Sequence, residues 1–98
     1  MTALNSAFSK ISEFQIAESK TFRCCRQQFD SVVYDRIKDF VYPRLRKNPF
    51  CGPDISRLTG ELTGFHRFRT DDYRLFYLIE QEQSVVVIVA LQPIRRGK

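Results

Sequence analysis

The stretch Gly64–Leu91, GFHRFRTDDYRLFYLIEQEQSVVVIVAL, constrains the fold more than any other part of this chain. It predicts three short strands joined by two tight turns. Phe65–Thr70 alternates aromatic and basic side chains, Tyr73–Ile79 is dense in aromatic and aliphatic ones, and Ser84–Leu91 is almost continuously apolar and β-branched. Runs of this composition bounded by polar turn residues are the signature of strands. Asp71-Asp72 and Glu80–Gln83 supply the two interruptions.

The first turn sets a register. With Asp71-Asp72 as a two-residue loop, Thr70 faces Tyr73, Arg69 faces Arg74 and Arg67 faces Phe76. Side chains alternate between the two faces of a strand. Arg67, Arg69, Arg74 and Phe76 therefore share one face, and His66, Phe68, Thr70, Tyr73, Leu75 and Tyr77 share the other. Like charges directly opposite each other destabilise a strand pair by about 0.2–1 kcal/mol, so stability gives no reason to gather arginines there. A polyanion or an acidic partner gives one. A solvated sheet face with counter-charges from elsewhere is the other reading, and spacing alone does not choose between them.

Ninety-eight residues make one domain, 1–98, with 1–12 as a flexible or additional N-terminal segment. A charged fraction of 28% and an apolar fraction of 43% are ordinary for a water-exposed globular chain. No apolar run reaches the roughly 18 residues of a membrane-spanning helix, and Met1–Ser12 lacks the basic start and apolar core of a signal peptide. The expectation is a cytoplasmic protein with no membrane partner. The net charge of +5 favours anionic partners. Cys24, Cys25 and Cys51 form no C-x-x-C pair and His66 is the sole histidine, so neither a metal site nor a cofactor is expected. Cys25, with Cys24 beside it, reads as a small reduced core residue.

Upstream, Glu13–Ala17 alternates and predicts a short strand that pairs with the C-terminal sheet. Ser19 predicts an N-cap for a helix beginning near Lys20, with Phe22, Cys25 and Phe29 on one side. Asp30 offers a second cap. A second helix then runs from Ser31 to Tyr42 or beyond, with Val33, Ile37, Phe40, Val41 and Leu45 as its apolar stripe; a single bent helix from Lys20 to Arg46 is the alternative. Pro43 should end or kink it. Arg44, Arg46 and Lys47 complement the negative end of a helix dipole. Asn48–Ser56 reads as a loop on its Pro49, Gly52 and Pro53. The helix pair should cover the sheet face that holds Phe68, Leu75 and Tyr77.

These residues bring a family into view. The run LTGELTGFHRFRTDDYRLFYLIE followed by VVVIVALQPIRR resembles the RelE/ParE superfamily of bacterial and archaeal toxins. Leu58, Gly60, Leu62, Gly64, Arg67, Arg69, Asp72, Tyr73, Arg74 and Tyr77 match its pattern in order, and the resemblance extends over about Glu13–Lys98. It implies an α+β fold in the order β-α-α-β-β-β, with two N-terminal helices packed on a small antiparallel sheet, and a toxin neutralised by a cognate antitoxin. The RelE branch, which the residues favour, implies an endoribonuclease that cleaves messenger RNA on the ribosome. The ParE branch implies a non-hydrolytic inhibitor of DNA gyrase, and a catalytically inactive basic module that only binds its acidic partner is a further alternative.

Cleavage of RNA by its own 2′-hydroxyl needs cations aimed at the charge that develops on phosphorus. The resemblance implies that Arg74 is the phosphate-stabilising arginine, that Arg67 and Arg69 are basic strand residues of the site, and that Arg95, or Arg96 if the end shifts by one, is the basic residue after the last strand. Phe76 is placed to stack on a base, and Lys98 could reach in. The chain departs from the family in two ways. Arginine stands at strand positions that are lysine in the best-known RelE toxins, and arginine is a poor general base. The tyrosine that often follows the basic end does not occur by Lys98: either the sequence is shortened there or this member has lost a group that orients the nucleophile or base. His66 has the intrinsic pKa range for proton transfer, but parity puts it opposite the arginines, which favours a structural role; Tyr73 and Tyr77 also point away.

Overall fold

The three strands form where the alternation predicts them. A computed structural model, which describes residues 13–94, contains β1 (Gln15–Glu18), α1 (Lys20–Arg26), α2 (Ser31–Arg36), a π-helical turn (Ile37–Val41), α3 (Tyr42–Lys47), β2 (Ile55–Arg57), a short 3₁₀ turn (Gly60–Leu62), β3 (Phe65–Arg69), β4 (Tyr73–Glu80) and β5 (Val85–Pro93). The sheet has five strands in the order β1-β5-β4-β3-β2. The class is α+β, with helices on one side. The expectation for Met1–Ser12 lies outside the described residues.

Two features of the sheet differ from expectation. It is mixed rather than antiparallel, because β1 lies parallel to β5, with Gln15 opposite Val85 and Glu18 opposite Ile88. The helices form the crossover that a parallel pair requires. The second feature is β2, which lies partly in the stretch read as a loop. Ile55, Ser56 and Arg57 pair antiparallel with Phe68, Arg67 and His66. Three residues after a proline carry no periodicity, and their strand character comes from the edge that β3 offers.

Ser19 caps α1 as expected, its Oγ accepting the Phe22 N–H at 3.0 Å. Asp30 occupies the next N-cap position without a side-chain cap bond; its backbone carbonyl receives the Val33 N–H at 3.0 Å instead. Pro43 does not end the helix. The backbone stays helical from α2 through the π turn into α3. A proline in a regular helix clashes with the carbonyl four residues back. Here the turn just before it is widened, so that the Tyr42 N–H bonds to the Ile37 carbonyl five residues back. The extra residue turns Phe40 out of the predicted stripe, and it is 48% exposed, while Ile37, Val41 and Leu45 are fully buried.

The core lies between the helices and one face of the sheet. Phe22, Ile37, Val41, Tyr42 and Leu45 meet Phe68, Tyr73, Leu75, Tyr77, Val86, Ile88 and Leu91. Cys25 packs against this cluster, whereas Cys24, read as a core residue with it, is exposed.

The candidate nucleic-acid face

The β3–β4 register is Arg69 opposite Arg74, Phe68 opposite Leu75 and Arg67 opposite Phe76. Thr70 closes the turn, donating its N–H to the Tyr73 carbonyl at 2.9 Å. Its Oγ1 also accepts the N–H groups of Asp72 and Tyr73, each at 3.2 Å. Parity then separates the two faces. His66, Phe68, Tyr73, Leu75 and Tyr77 are buried beneath the helices, and Arg67, Arg69, Arg74 and Phe76 lie on the helix-free face.

One rung runs Ser56, Arg67, Phe76, Ala90 across β2 to β5, and the next runs Arg69, Arg74, Gln92 across β3 to β5. Ala90 presents only a methyl group beside Phe76, which leaves that flank of the ring uncovered by its β5 neighbour. Arg67 and Arg74 are diagonal neighbours, for which backbone separation is about 7–8 Å. That spacing suits two guanidinium groups converging on one phosphate.

Gln92 reaches this face through a bulge. Phe76 pairs with Ala90, but Tyr77 pairs with Ile88, so Val89 is an extra residue in β5. Val86 and Ile88 are buried before the bulge and Leu91 after it. The reversal of parity puts Gln92 beside Arg74, whose Nη1 donates to the Gln92 Oε1 at 3.1 Å. The Ser19 hydroxyl donates to the Val89 carbonyl at 3.5 Å, tying the first helix cap to the bulge. No local signal marked Gln92, since uninterrupted alternation from Val86 points it into the core.

Ion pairs form elsewhere: Arg26 with Glu18, Arg36 with Asp72 and Lys38 with Asp35. Among the described residues Arg67 and Arg69 are in no ion pair, and the buried Nε of Arg67 has no hydrogen-bond partner. A buried donor left unpaired costs about 1–3 kcal/mol. The guanidinium must turn outward for an anion on this face to satisfy it.

The proton carriers lie on the other side. His66 is 8% exposed and stacks on Tyr77 with ring centroids 5.6 Å apart. Burial, reinforced by the Arg57 charge, lowers its pKa. Tyr77 donates its hydroxyl to the Pro49 carbonyl at 2.7 Å, and burial raises its pKa well above the ordinary phenol value. Burial also raises that of Tyr73. Arg95, Arg96 and Lys98 lie outside the described residues. The last described residue, Ile94, donates its N–H to the Asp72 carbonyl at 2.9 Å, which fixes the end of the described chain beside the β3–β4 turn. No helix among the described residues is long and apolar enough to cross a membrane. No group of three or more His, Cys, Asp or Glu among them could hold a metal.

The family model for the ParE toxin of the type II toxin–antitoxin system parDE matches residues 16–96. The chain belongs to the ParE toxin family. As a toxin of the RelE/ParE superfamily, it also shares its fold with solved relatives. The toxin–antitoxin complex RelBE from Mycobacterium tuberculosis aligns with a TM-score of 0.75 at 23% identity, covering 84% of this toxin and 99% of that chain. The archaeal RelE–RelB complex from Pyrococcus horikoshii aligns at 0.69 with 26% identity over 87% and 99%. The isolated RelE toxin of E. coli aligns at 0.69 with 16% identity over 87% and 88%. Among curated protein sequences none matches the toxin.

Proposed function

We propose that this toxin is an endoribonuclease that cuts ribosome-associated messenger RNA and is held inactive by a cognate antitoxin. The observation that carries the reading is the sheet face that Arg67, Arg69 and Arg74 share, with the buried Nε of Arg67 left without a hydrogen-bond partner. In the reaction the ribose 2′-oxygen bonds to the adjacent phosphorus and the bond to the 5′-oxygen breaks. A cyclic phosphate and a 5′-hydroxyl result, with one proton leaving the nucleophile and one reaching the leaving oxygen. Arg74, steadied by Gln92, and Arg67 bind the phosphoryl oxygens as negative charge builds on them. Arg69 extends the phosphate track, and Phe76 stacks on a neighbouring base. Arg95 follows Ile94 directly and adds a cation, with Arg96 and Lys98 as further RNA contacts.

An antitoxin fits the same face, since acidic side chains laid over it would supply the missing counter-charges. The relatives from M. tuberculosis and P. horikoshii were solved as complexes with their antitoxins, which supports such a partner here.

A second reading is inhibition of DNA gyrase without hydrolysis. The ParE family match favours it, as does the placement of His66, Tyr73 and Tyr77 on the core side, away from the arginines. One paired assay separates the two. Purified toxin is added to ribosomes programmed with a defined message, and to gyrase acting on relaxed plasmid. New 5′ ends on the message with supercoiling intact support the nuclease; intact message with supercoiling blocked overturns it.

A further inference from the structure

A concavity of about 340 Å³ lies on the helix side of the sheet, lined by Ile16, Glu18, Arg23, Lys38, Tyr42 and Arg46. Its one carboxylate is already engaged. Glu18 Oε2 accepts the hydroxyls of Tyr34 at 2.6 Å and Tyr42 at 2.9 Å, and its Oε1 lies 3.8 Å from Arg26 Nε. The rim cations are poorly matched. Arg23 and Arg46 are in no ion pair among the described residues, and Lys38, whose Nζ also lies 4.7 Å from the centroid of the Tyr34 ring, pairs with a carboxylate only at 4.0 Å, the exposed Asp35. Three positive side chains thus surround a floor whose single negative charge is satisfied from within the fold.

The chemistry of the lining restricts what can bind. Protein partners anchor through aromatic or aliphatic side chains in dry pockets. Here Ile16 is the lining's aliphatic residue, and Tyr42 is 4% exposed with its hydroxyl held by Glu18. Little apolar surface remains to receive an anchor. Recognition by charge alone suits a phosphate backbone, and two arginine forks suit its oxygens. We propose that this concavity is a second polyanion site, facing away from Arg67, Arg69 and Arg74, and that it grips the sugar–phosphate backbone of folded RNA. The choice of RNA over DNA rests on the message-cutting reading of the opposite face; the phosphate site does not. With both faces occupied the toxin sits between two strands of a folded RNA.

The test is binding of the full chain to a labelled RNA hairpin across a series of salt concentrations, compared with the Arg23→Gln/Lys38→Gln/Arg46→Gln variant. Loss of three phosphate contacts should flatten the slope of log K against log[salt] by about 2–3 and weaken binding on the order of tenfold at moderate salt. Single Arg23→Gln and Arg46→Gln variants, each flattening the slope by about 0.7–0.9, give the same answer if the triple variant fails to fold. Equal slopes for variant and wild type overturn the site. Loss of binding to a DNA duplex with hairpin binding unchanged overturns the choice of RNA, and displacement of the hairpin by polyglutamate as readily as by unlabelled hairpin overturns phosphate recognition. A variant that loses hairpin affinity supports the site even where neither protein cuts message, so the two readings fail separately.

Discussion

Arg69 stands directly opposite Arg74 across the β3–β4 ladder, and Arg74 turns to a neutral amide, Gln92, 3.1 Å away. Two like charges share a rung that a fold selected for stability alone would fill with β-branched or oppositely charged residues. Relieving the repulsion should stabilise the protein while impairing it. Arg69→Thr is expected to raise the free energy of unfolding by about 0.2–1 kcal/mol and to reduce growth arrest. Urea midpoints and growth curves measure the two effects; a destabilised variant would show that Arg69 is a structural residue.

Removal of Arg74 tests the site directly. If its guanidinium meets charge that develops in the transition state, Arg74→Ala should cost on the order of 10²–10³ in cleavage rate while leaving the fold intact, since it lies on the face away from the core. Single-turnover cleavage of ribosome-bound message and the circular dichroism spectrum are the measurements. Undiminished toxicity in a folded Arg74→Ala protein would rule this role out.

His66 makes stability depend on pH. Its folded-state pKa is lowered from 6.5 by burial and then by the Arg57 charge, whereas the unfolded chain keeps the ordinary value. As pH falls through 6.5 the unfolded state takes up a proton first, so stability drops, and the drop levels off once the folded-state pKa is passed. His66→Phe keeps a ring against Tyr77 and should remove this part of the dependence. Urea unfolding of both proteins on either side of pH 6.5 checks it; parallel curves would mean that His66 does not titrate differently on folding.

Ser19 joins two elements, accepting the Phe22 N–H at 3.0 Å and donating to the Val89 carbonyl at 3.5 Å. Ser19→Ala should cost about 0.5–2 kcal/mol, the range for losing an N-cap. Loosening the bulge should also disturb the Arg74–Gln92 contact. Thermal unfolding gives the first effect, and broadened amide signals at Val89–Gln92 in solution spectra give the second. Sharp, unshifted signals there would show that the bulge holds its shape without the hydroxyl.

Local sequence was enough to set the β3–β4 hairpin, its register and the division of its side chains between two faces. Period-two alternation and a two-residue turn are local properties, and together they place Arg67, Arg69, Arg74 and Phe76 on one side. The helix cap at Ser19 was legible for the same reason. The parallel placement of β1, the strand character of Ile55–Arg57, the outward turn of Phe40 and the arrival of Gln92 beside Arg74 came only with the packed fold. All but the turn of Phe40, which also answers to nearby Pro43, depend on a neighbour distant in sequence. An edge strand needs a ladder to join, a widened helical turn answers to the proline that follows it and the core beneath, and a bulge reverses the side-chain alternation only when the facing strand holds its own register.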